Sequence, residues 1–401
     1  SGTFWAGTKR GLSGFDPTTQ GFLGIGPSAD LSQGIPKPNV WSFGEDKNEK
    51  YIFVGTDLGI SRRNRSTGTF EQYNRPDINT TVGEGDETAV LSMYVIDQNH
   101  VLAGCADGLY ELNINNGGGY TFKRLYLQPE KTLLRHNRVY SIVHWKDQKY
   151  FLGTKSGALL VDLKTKELTA FEHRAKHPKE SIASGVCRVV YKDNSGKIWF
   201  ATSSGELSVL SVRNGKPSIL PYEHNALFLR ASKDYISSIC QTGPYEYWFG
   251  TIGSGLMKWN ERTKKLDVFQ KKQGLPNNVV YGVLKADNKH LWLSTNKGLC
   301  RFDMYGSKCV NYTERDGLMS NEFNIGAYFN SKNGELYFGG IYGYNYFLPE
   351  KLSLKIKDVS VKIVKFKLDK GWLLPGDVGS PLKKPISLTD LITLRYRQRS
   401  F

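Results

Sequence analysis

Apolar residues fall in short runs that recur along the whole chain. Eight runs share one form: Phe4-Trp-Ala-Gly-Thr8, Phe53-Val-Gly-Thr56, Leu102-Ala-Gly-Cys105, Phe151-Leu-Gly-Thr154, Trp199-Phe-Ala-Thr202, Trp248-Phe-Gly-Thr251, Trp292-Leu-Ser-Thr295 and Tyr337-Phe-Gly-Gly340. Each reads as an apolar strand ending in a small residue, and most then carry a threonine. A glycine follows three positions later, at Gly11, Gly59, Gly108, Gly157, Gly205, Gly298 and Gly343, with Gly255 one place further on. The small residue sits at 7, 55, 104, 153, 201, 250, 294 and 339, spacings of 48, 49, 49, 48, 49, 44 and 45 residues. A second marker, Val40, Val90, Val139, Val186, Ile236, Val279 and Ile325, precedes it by 14 or 15 positions in every copy after the first.

One complete copy predicts four strands. Val279-Val-Tyr-Gly-Val-Leu284 is strand one, and Leu291-Trp-Leu-Ser-Thr295 follows a turn at Asp287-Asn-Lys-His290. The tight turn Asn296-Lys-Gly298 leads to Leu299-Cys-Arg-Phe302, and Lys308-Cys-Val-Asn-Tyr312 is strand four. A strand-and-turn repeat with a period in the forties is a β-propeller blade. At the crowded inner end of a blade only Gly, Ala or Ser lets neighbouring backbones approach, and the adjacent Trp, Phe and Tyr pack between blades. Seven complete sets run from about Val40 to Phe347. The last lacks a fourth strand, and the segment near Gly21-Phe22-Leu23 can supply it. The expected fold is all-β: a seven-bladed propeller over residues 1–352, with eight blades as the alternative. Residues 4–15 then belong to an eighth blade or to a preceding module. Residues 353–401 hold period-two strands, Val359-Ser-Val-Lys-Ile-Val364 and Ile392-Thr-Leu-Arg-Tyr396, without the blade signature, and read as the start of a β-sandwich.

Composition narrows this reading. Of 401 residues, 39% are hydrophobic and 12% aromatic, which supports a packed core. No apolar run approaches the ~18 residues that span a bilayer, and the N-terminus shows no basic-then-apolar leader, so the chain is expected to be soluble. The net charge of +16 favours acidic partners such as nucleic acid, anionic lipid or acidic polysaccharide, or else marks a solvated basic surface. The five cysteines, at 105, 187, 240, 300 and 309, form no C-x-x-C pair and no disulfide framework. Cys300 and Cys309 can face each other across a hairpin and bridge in an oxidising compartment. Buried unpaired strand cysteines are the alternative.

Catalytic and cofactor motifs are absent from the sequence: it holds no G-x-S-x-G, H-E-x-x-H or P-loop. The seven histidines lack metal-ligand spacing. Asp97, Asp147, Asp193 and Asp287 recur before the turn between strands one and two, where a carboxylate caps the turn. No cofactor or metal is expected. Binding is better placed, because the repeat brings the turns between strands two and three and the connectors between blades to one end. The candidate ligand-binding set there is Lys9, Arg10, Lys155, Lys297 and Tyr342 on the turns, with His136, Asn137, Arg138, Arg230, Asn277, Asn278 and Asn321 on the connectors, beside Lys271 and Lys272. Arg and Lys hold carboxylates or sulfates, and Tyr stacks on sugar faces.

The blade cores, the connectors Gly274-Leu-Pro-Asn-Asn278 and Asp316-Gly-Leu-Met-Ser-Asn-Glu-Phe-Asn324, and the closing segment Leu336-Tyr-Phe-Gly-Gly-Ile-Tyr-Gly-Tyr-Asn-Tyr-Phe-Leu-Pro349 resemble the two-component-regulator propeller repeat. That repeat is found in the periplasmic sensor region of Bacteroides-type hybrid two-component systems. The stretch Pro381 to Phe401 is similar to the opening of the tyrosine-rich sandwich that follows such propellers. The resemblance implies a periplasmic, non-enzymatic sensor that binds a glycan-derived oligosaccharide, and the charge adds that it is acidic. It also implies membrane and kinase parts outside this chain, so the chain is expected to be a fragment of the sensor. A protein-interaction or homodimerising scaffold is one alternative and a polysaccharide-lyase propeller is another. Nucleic acid conflicts with the compartment.

Overall fold

A computed structural model describes residues 4–8, 11–15, 21–75, 89–127, 138–174, 176, 181–183, 185–232, 234–352, 367–368, 371–372, 374–378, 380–386 and 392–393. It is a seven-bladed β-propeller. Seven four-stranded antiparallel sheets occupy residues 40–74, 90–124, 139–171, 187–221, 236–269, 280–312 and 323–347, here blades 1 to 7. The innermost strand of each blade contacts that of the next, and that of blade 7 contacts that of blade 1. One short α-helix, Asn225–Ala231, lies in the connector between blades 4 and 5.

The small residue of strand two sits where two blades meet. A Cβ added at Gly104 would lie 2.7 Å from Val139 Cγ1 and 2.9 Å from the Val139 carbonyl of the next blade. A Cβ at Gly153 would meet Ser141 Oγ at 2.5 Å and the Cys187 carbonyl at 3.0 Å. The space is taken by a serine on strand one that bonds across to the neighbour. Ser42 donates to the Val90 carbonyl at 2.7 Å, Ser92 to the Val139 carbonyl at 2.9 Å, and Ser237 to the Val280 carbonyl at 2.5 Å, while Ser141 accepts from Val190 N at 3.0 Å. The threonine after the small residue closes the next turn. Thr154, Thr251 and Thr295 donate to the carbonyls of Gly157, Gly255 and Gly298 at 2.8 to 2.9 Å. Gly298 itself has φ of +93°, and a Cβ there would strike the Tyr312 carbonyl, so glycine is required twice over.

Outside this seam the blades pack through aromatic rings. Trp199, Trp248 and Trp292 are fully buried. Phe151 meets Phe200 edge-on at 5.3 Å, Trp248 meets Phe302 at 5.7 Å, and Trp292 meets Phe347 at 4.6 Å, each pair joining successive blades. Blades 4 and 5 also share a buried carboxylate: Asp193 accepts from Trp199 Nε1 at 3.0 Å and Tyr247 OH at 2.8 Å. Asp193, Asp97 and Asp287 cap their turns as expected, through the backbone N–H groups of Ser195, Asn99 and Lys289. Asp147 instead takes φ of +49° within its turn.

The ring closes as the sequence predicts. Leu23–Ile25 pairs with Gly343–Phe347 and completes blade 7 as its fourth strand. Phe22 anchors it against Phe347 at 4.8 Å and Tyr312 at 5.2 Å. The hairpin Phe4–Thr8 with Gly11–Phe15 forms a two-stranded sheet of its own, in the register of strands two and three of a blade. The chain divides into two compact units, Ser1–Ser353 and Leu354–Phe401. In the second, Lys367–Leu368 pairs antiparallel with Gly371–Trp372; the strands predicted at Val359–Val364 and Ile392–Tyr396 fall largely outside the described residues.

Cys300 and Cys309 form a disulfide between strands three and four of blade 6, with Cα atoms 5.7 Å apart. Cys105, Cys187 and Cys240 are free and buried. Burial pushes the Cys240 thiol up to about 12, so it stays a protonated, inert thiol.

Two predictions follow from the packing. Gly104→Ala should destabilise the propeller by about 1–3 kcal/mol in denaturant unfolding. Gly117→Ala, where nothing lies within 4 Å of the added Cβ, should leave stability unchanged. Peptide mapping without reductant should recover Cys300 linked to Cys309, with the other three thiols alkylated only after denaturation. Breaking that bridge should cost about 2–3 kcal/mol by the loop-entropy relation.

Candidate functional site

Strand one of each blade begins with an irregularity that the alternating pattern does not show. Its pairing with strand two skips one residue between Val40 and Ser42, Val90 and Ser92, Val139 and Ser141, Cys187 and Val189, Ile236 and Ser238, and Val280 and Gly282. A β-bulge of this kind re-aims the extra side chain. The residues so displaced are Trp41, Leu91, Tyr140, Arg188, Ser237 and Tyr281. In blade 7 the irregularity is wider, between Phe323 and Tyr328, with Gly326 at φ of +85°. All six bulged residues, with Asn324, Ile325 and Gly326, line one cavity of about 450 Å3 at the mouth of the central channel. That volume falls in the ~300–1,000 Å3 range of small-molecule sites.

The cavity has a polar, aromatic rim and an apolar floor. Trp41 is held by a carboxylate: its indole N–H donates to Asp57 Oδ1 at 2.6 Å, and Asn39 Nδ2 donates to Asp57 Oδ2 at 3.0 Å. Arg188 lies over Tyr140 at 4.6 Å and over Tyr235 at 5.0 Å, and its Nε is buried without a hydrogen-bond partner. Arg138 lines the same cavity. Burial pushes the phenols of Tyr235 and Tyr281 up, so both stay neutral donors at ordinary pH. The floor is Phe43, Met93, Ile142, Val190 and Tyr328. The described lining thus carries two arginines and no carboxylate or histidine, which suits an anionic ligand with ring faces to stack.

The structure separates the residues that the sequence singled out. Arg138 lines the cavity. Lys155 and Lys297 are exposed on the turns between strands two and three, and Tyr342 is 58% exposed on the corresponding turn of blade 7. Arg230 is exposed on the short helix. Three asparagines shape their own connectors: Asn277 accepts from Val279 N at 2.9 Å, Asn278 from Lys271 N at 2.8 Å, and Asn321 from Glu314 N at 3.1 Å. Lys9, Arg10, His136 and Asn137 lie outside the described residues. The lining residues Trp41, Tyr140, Arg188 and Tyr281 escaped sequence reasoning, although the signal was present: each follows the strand-one marker of its repeat by one or two positions. A shallower groove of about 460 Å3, with Tyr51, Gln98, Asn116 and Tyr120, lies between blades 1 and 2.

No known family profile matches the chain. "Histidine kinase P4" of Formosa agariphila is 28% identical over 278 residues, covering 68% of this chain and 20% of that kinase. Among solved structures, the extracellular domain of the hybrid two-component system BT3049 from B. thetaiotaomicron matches with a TM-score of 0.67 and 21% identity, over 94% of this chain and 49% of that one. The extracellular domain of the one-component system BT4673 from the same organism gives 0.61 and 17%, over 87% and 41%. Streptogramin B lyase gives 0.54 and 14%, over 81% and 96%. The chain therefore spans a fifth of the kinase, 49% of the BT3049 domain and 41% of the BT4673 domain, and these structural likenesses establish the propeller fold.

The Trp41–Asp57 contact predicts an observable. The Trp41 indole N–H resonance, shifted downfield by its carboxylate partner, should move upfield in Asp57→Asn and vanish in Trp41→Phe. Loss of that charged hydrogen bond should cost about 1.5–3 kcal/mol. An unmoved resonance in Asp57→Asn would remove the contact.

Proposed function

We propose that this chain is the extracytoplasmic ligand-sensing part of a two-component signalling protein, and that it binds an acidic, glycan-derived oligosaccharide at the mouth of the propeller channel. The observation that carries the reading is the cavity itself: Trp41, Tyr140 and Tyr281 around it, Arg138 and Arg188 in it, and no acidic side chain in its described lining. Rings stack on the C–H faces of sugars, and guanidinium groups take carboxylates in paired hydrogen bonds. The unpartnered Nε of Arg188 is a donor whose acceptor a ligand would supply.

Three further facts support the compartment and the role. The structural neighbours from the hybrid two-component system BT3049 and the one-component system BT4673 are extracellular domains, and the relative in Formosa agariphila is named a histidine kinase. The disulfide between Cys300 and Cys309 suits an oxidising environment. The separate unit Leu354–Phe401 is where a sandwich following the propeller would begin. The output, a kinase with its membrane segment, lies in this reading outside the chain. A glycosidase working through paired carboxylates would need both facing its substrate, and the described cavity lining carries no carboxylate. Binding without turnover is the better-supported role. Of the candidate residues named from sequence, Arg138 is the one this site uses.

Calorimetric titration with acidic and neutral oligosaccharides at two salt concentrations tests the proposal. An acidic member should bind, more weakly at the higher salt, and Arg188→Met should weaken it about ten- to a hundredfold. Silence across the panel, or acidic binding that ignores Arg188→Met, would contradict it.

A further inference from the structure

We infer that the channel cavity takes the ligand end-on, admitting one terminal sugar unit of a chain and stopping it against Tyr328, so that the protein reads chain ends and not chain interiors. The inference rests on the channel-mouth site just proposed and concerns how that site is occupied.

The repeat shows how the floor is built. In four blades the residue of strand one that follows the bulge is a serine: Ser42, Ser92, Ser141 and Ser238. In blade 6 it is Gly282. The missing side chain is replaced by the ring of Tyr328 from blade 7, since a Cβ on Gly282 would lie 2.5 Å from Tyr328 Cγ. The tyrosine then runs on past blade 6, and its hydroxyl comes within 3.5 Å of the Ser237 carbonyl in blade 5. Tyr328 is half-buried, and burial pushes its phenol up.

Tyr328 is placed there by the wide irregularity of blade 7. Six residues from Phe323 to Tyr328 span what three span on the partner strand, from Gly340 to Phe338. The looped-out residues are fixed from outside: Asn324 Nδ2 donates to the Val40 carbonyl of blade 1 at 2.9 Å. Around Tyr328 the floor continues with Phe43, Met93, Ile142 and Val190, all less than a tenth exposed. A chain threading the axis would have to displace this packed layer. One lying flat across the rim would leave the floor unused. A single sugar ring seated on the floor, its carboxylate toward Arg188 and its C–H face on apolar side chains, uses both.

The test is a length series of oligogalacturonates, from the monosaccharide to the hexasaccharide, titrated calorimetrically into the 401-residue chain. End-on capture predicts affinity that levels off by the disaccharide and one protein per oligosaccharide at every length. Tyr305→Ala, on an exposed turn outside the described cavity lining, should bind as the parent does, and Tyr328→Ala should weaken the monosaccharide about tenfold. Affinity that climbs steadily with length, or several proteins on one hexasaccharide, would overturn end-on capture while leaving the acidic-glycan reading intact, provided Arg188→Met still weakens binding. No binding at any length would overturn both.

Discussion

The propeller depends on one steric constraint repeated around its axis. Where blades converge, the second strand must carry no side chain larger than a hydroxymethyl, because the first strand of the next blade brings its carbonyl there. Gly104 faces the Val139 carbonyl and Gly153 faces the Cys187 carbonyl in this way. The serine that fills the space also bonds the two blades, as Ser92 does to Val139 at 2.9 Å. One position therefore sets both the inner radius of the ring and the hydrogen bond across the seam. Farther out the blades diverge, and the gap widens to what Trp199, Trp248 and Trp292 fill.

The cavity is a by-product of the same seam. Strand one enters this seam with an extra residue that lines the channel, and in blade 5 that residue, Ser237, is itself the one that bonds to the Val280 carbonyl. Seven such entries make a ring of side chains that the framework holds but does not specify. Trp41, Arg188 and Tyr281 occupy equivalent places, two aromatic rings and one cation. Blades 6 and 7 show how the floor is altered: Gly282 carries no side chain and Tyr328 takes the space.

Much of the fold was legible because its constraint falls on residue identity. The run ending Gly-Thr, the spacing near 48, and the missing fourth strand of the last blade point to seven blades closed by the segment at Leu23, and the structure pairs Leu23 with Tyr346. The site was less legible. Alternation assigns a face to each strand residue only while the register holds, and the bulge at Tyr140 or Arg188 breaks it where the cavity begins. Polar connector residues carry a structural duty that the sequence does not show. Asn277, Asn278 and Asn321 look free in a loop, yet their side-chain carbonyls cap the backbone of the same loops. The markers Val186 and Val279 also sit one residue ahead of the strands that begin at Cys187 and Val280.

The most direct test of the account is a crystal structure of the chain with trigalacturonate bound. The account predicts one terminal sugar in the channel mouth, over Tyr328, with its carboxylate on Arg188 and the other two units rising out of the cavity toward Trp41 or Tyr281. Sugar density in the groove between blades 1 and 2, or along the connectors near Lys155 and Lys297 with the channel mouth empty, would contradict it.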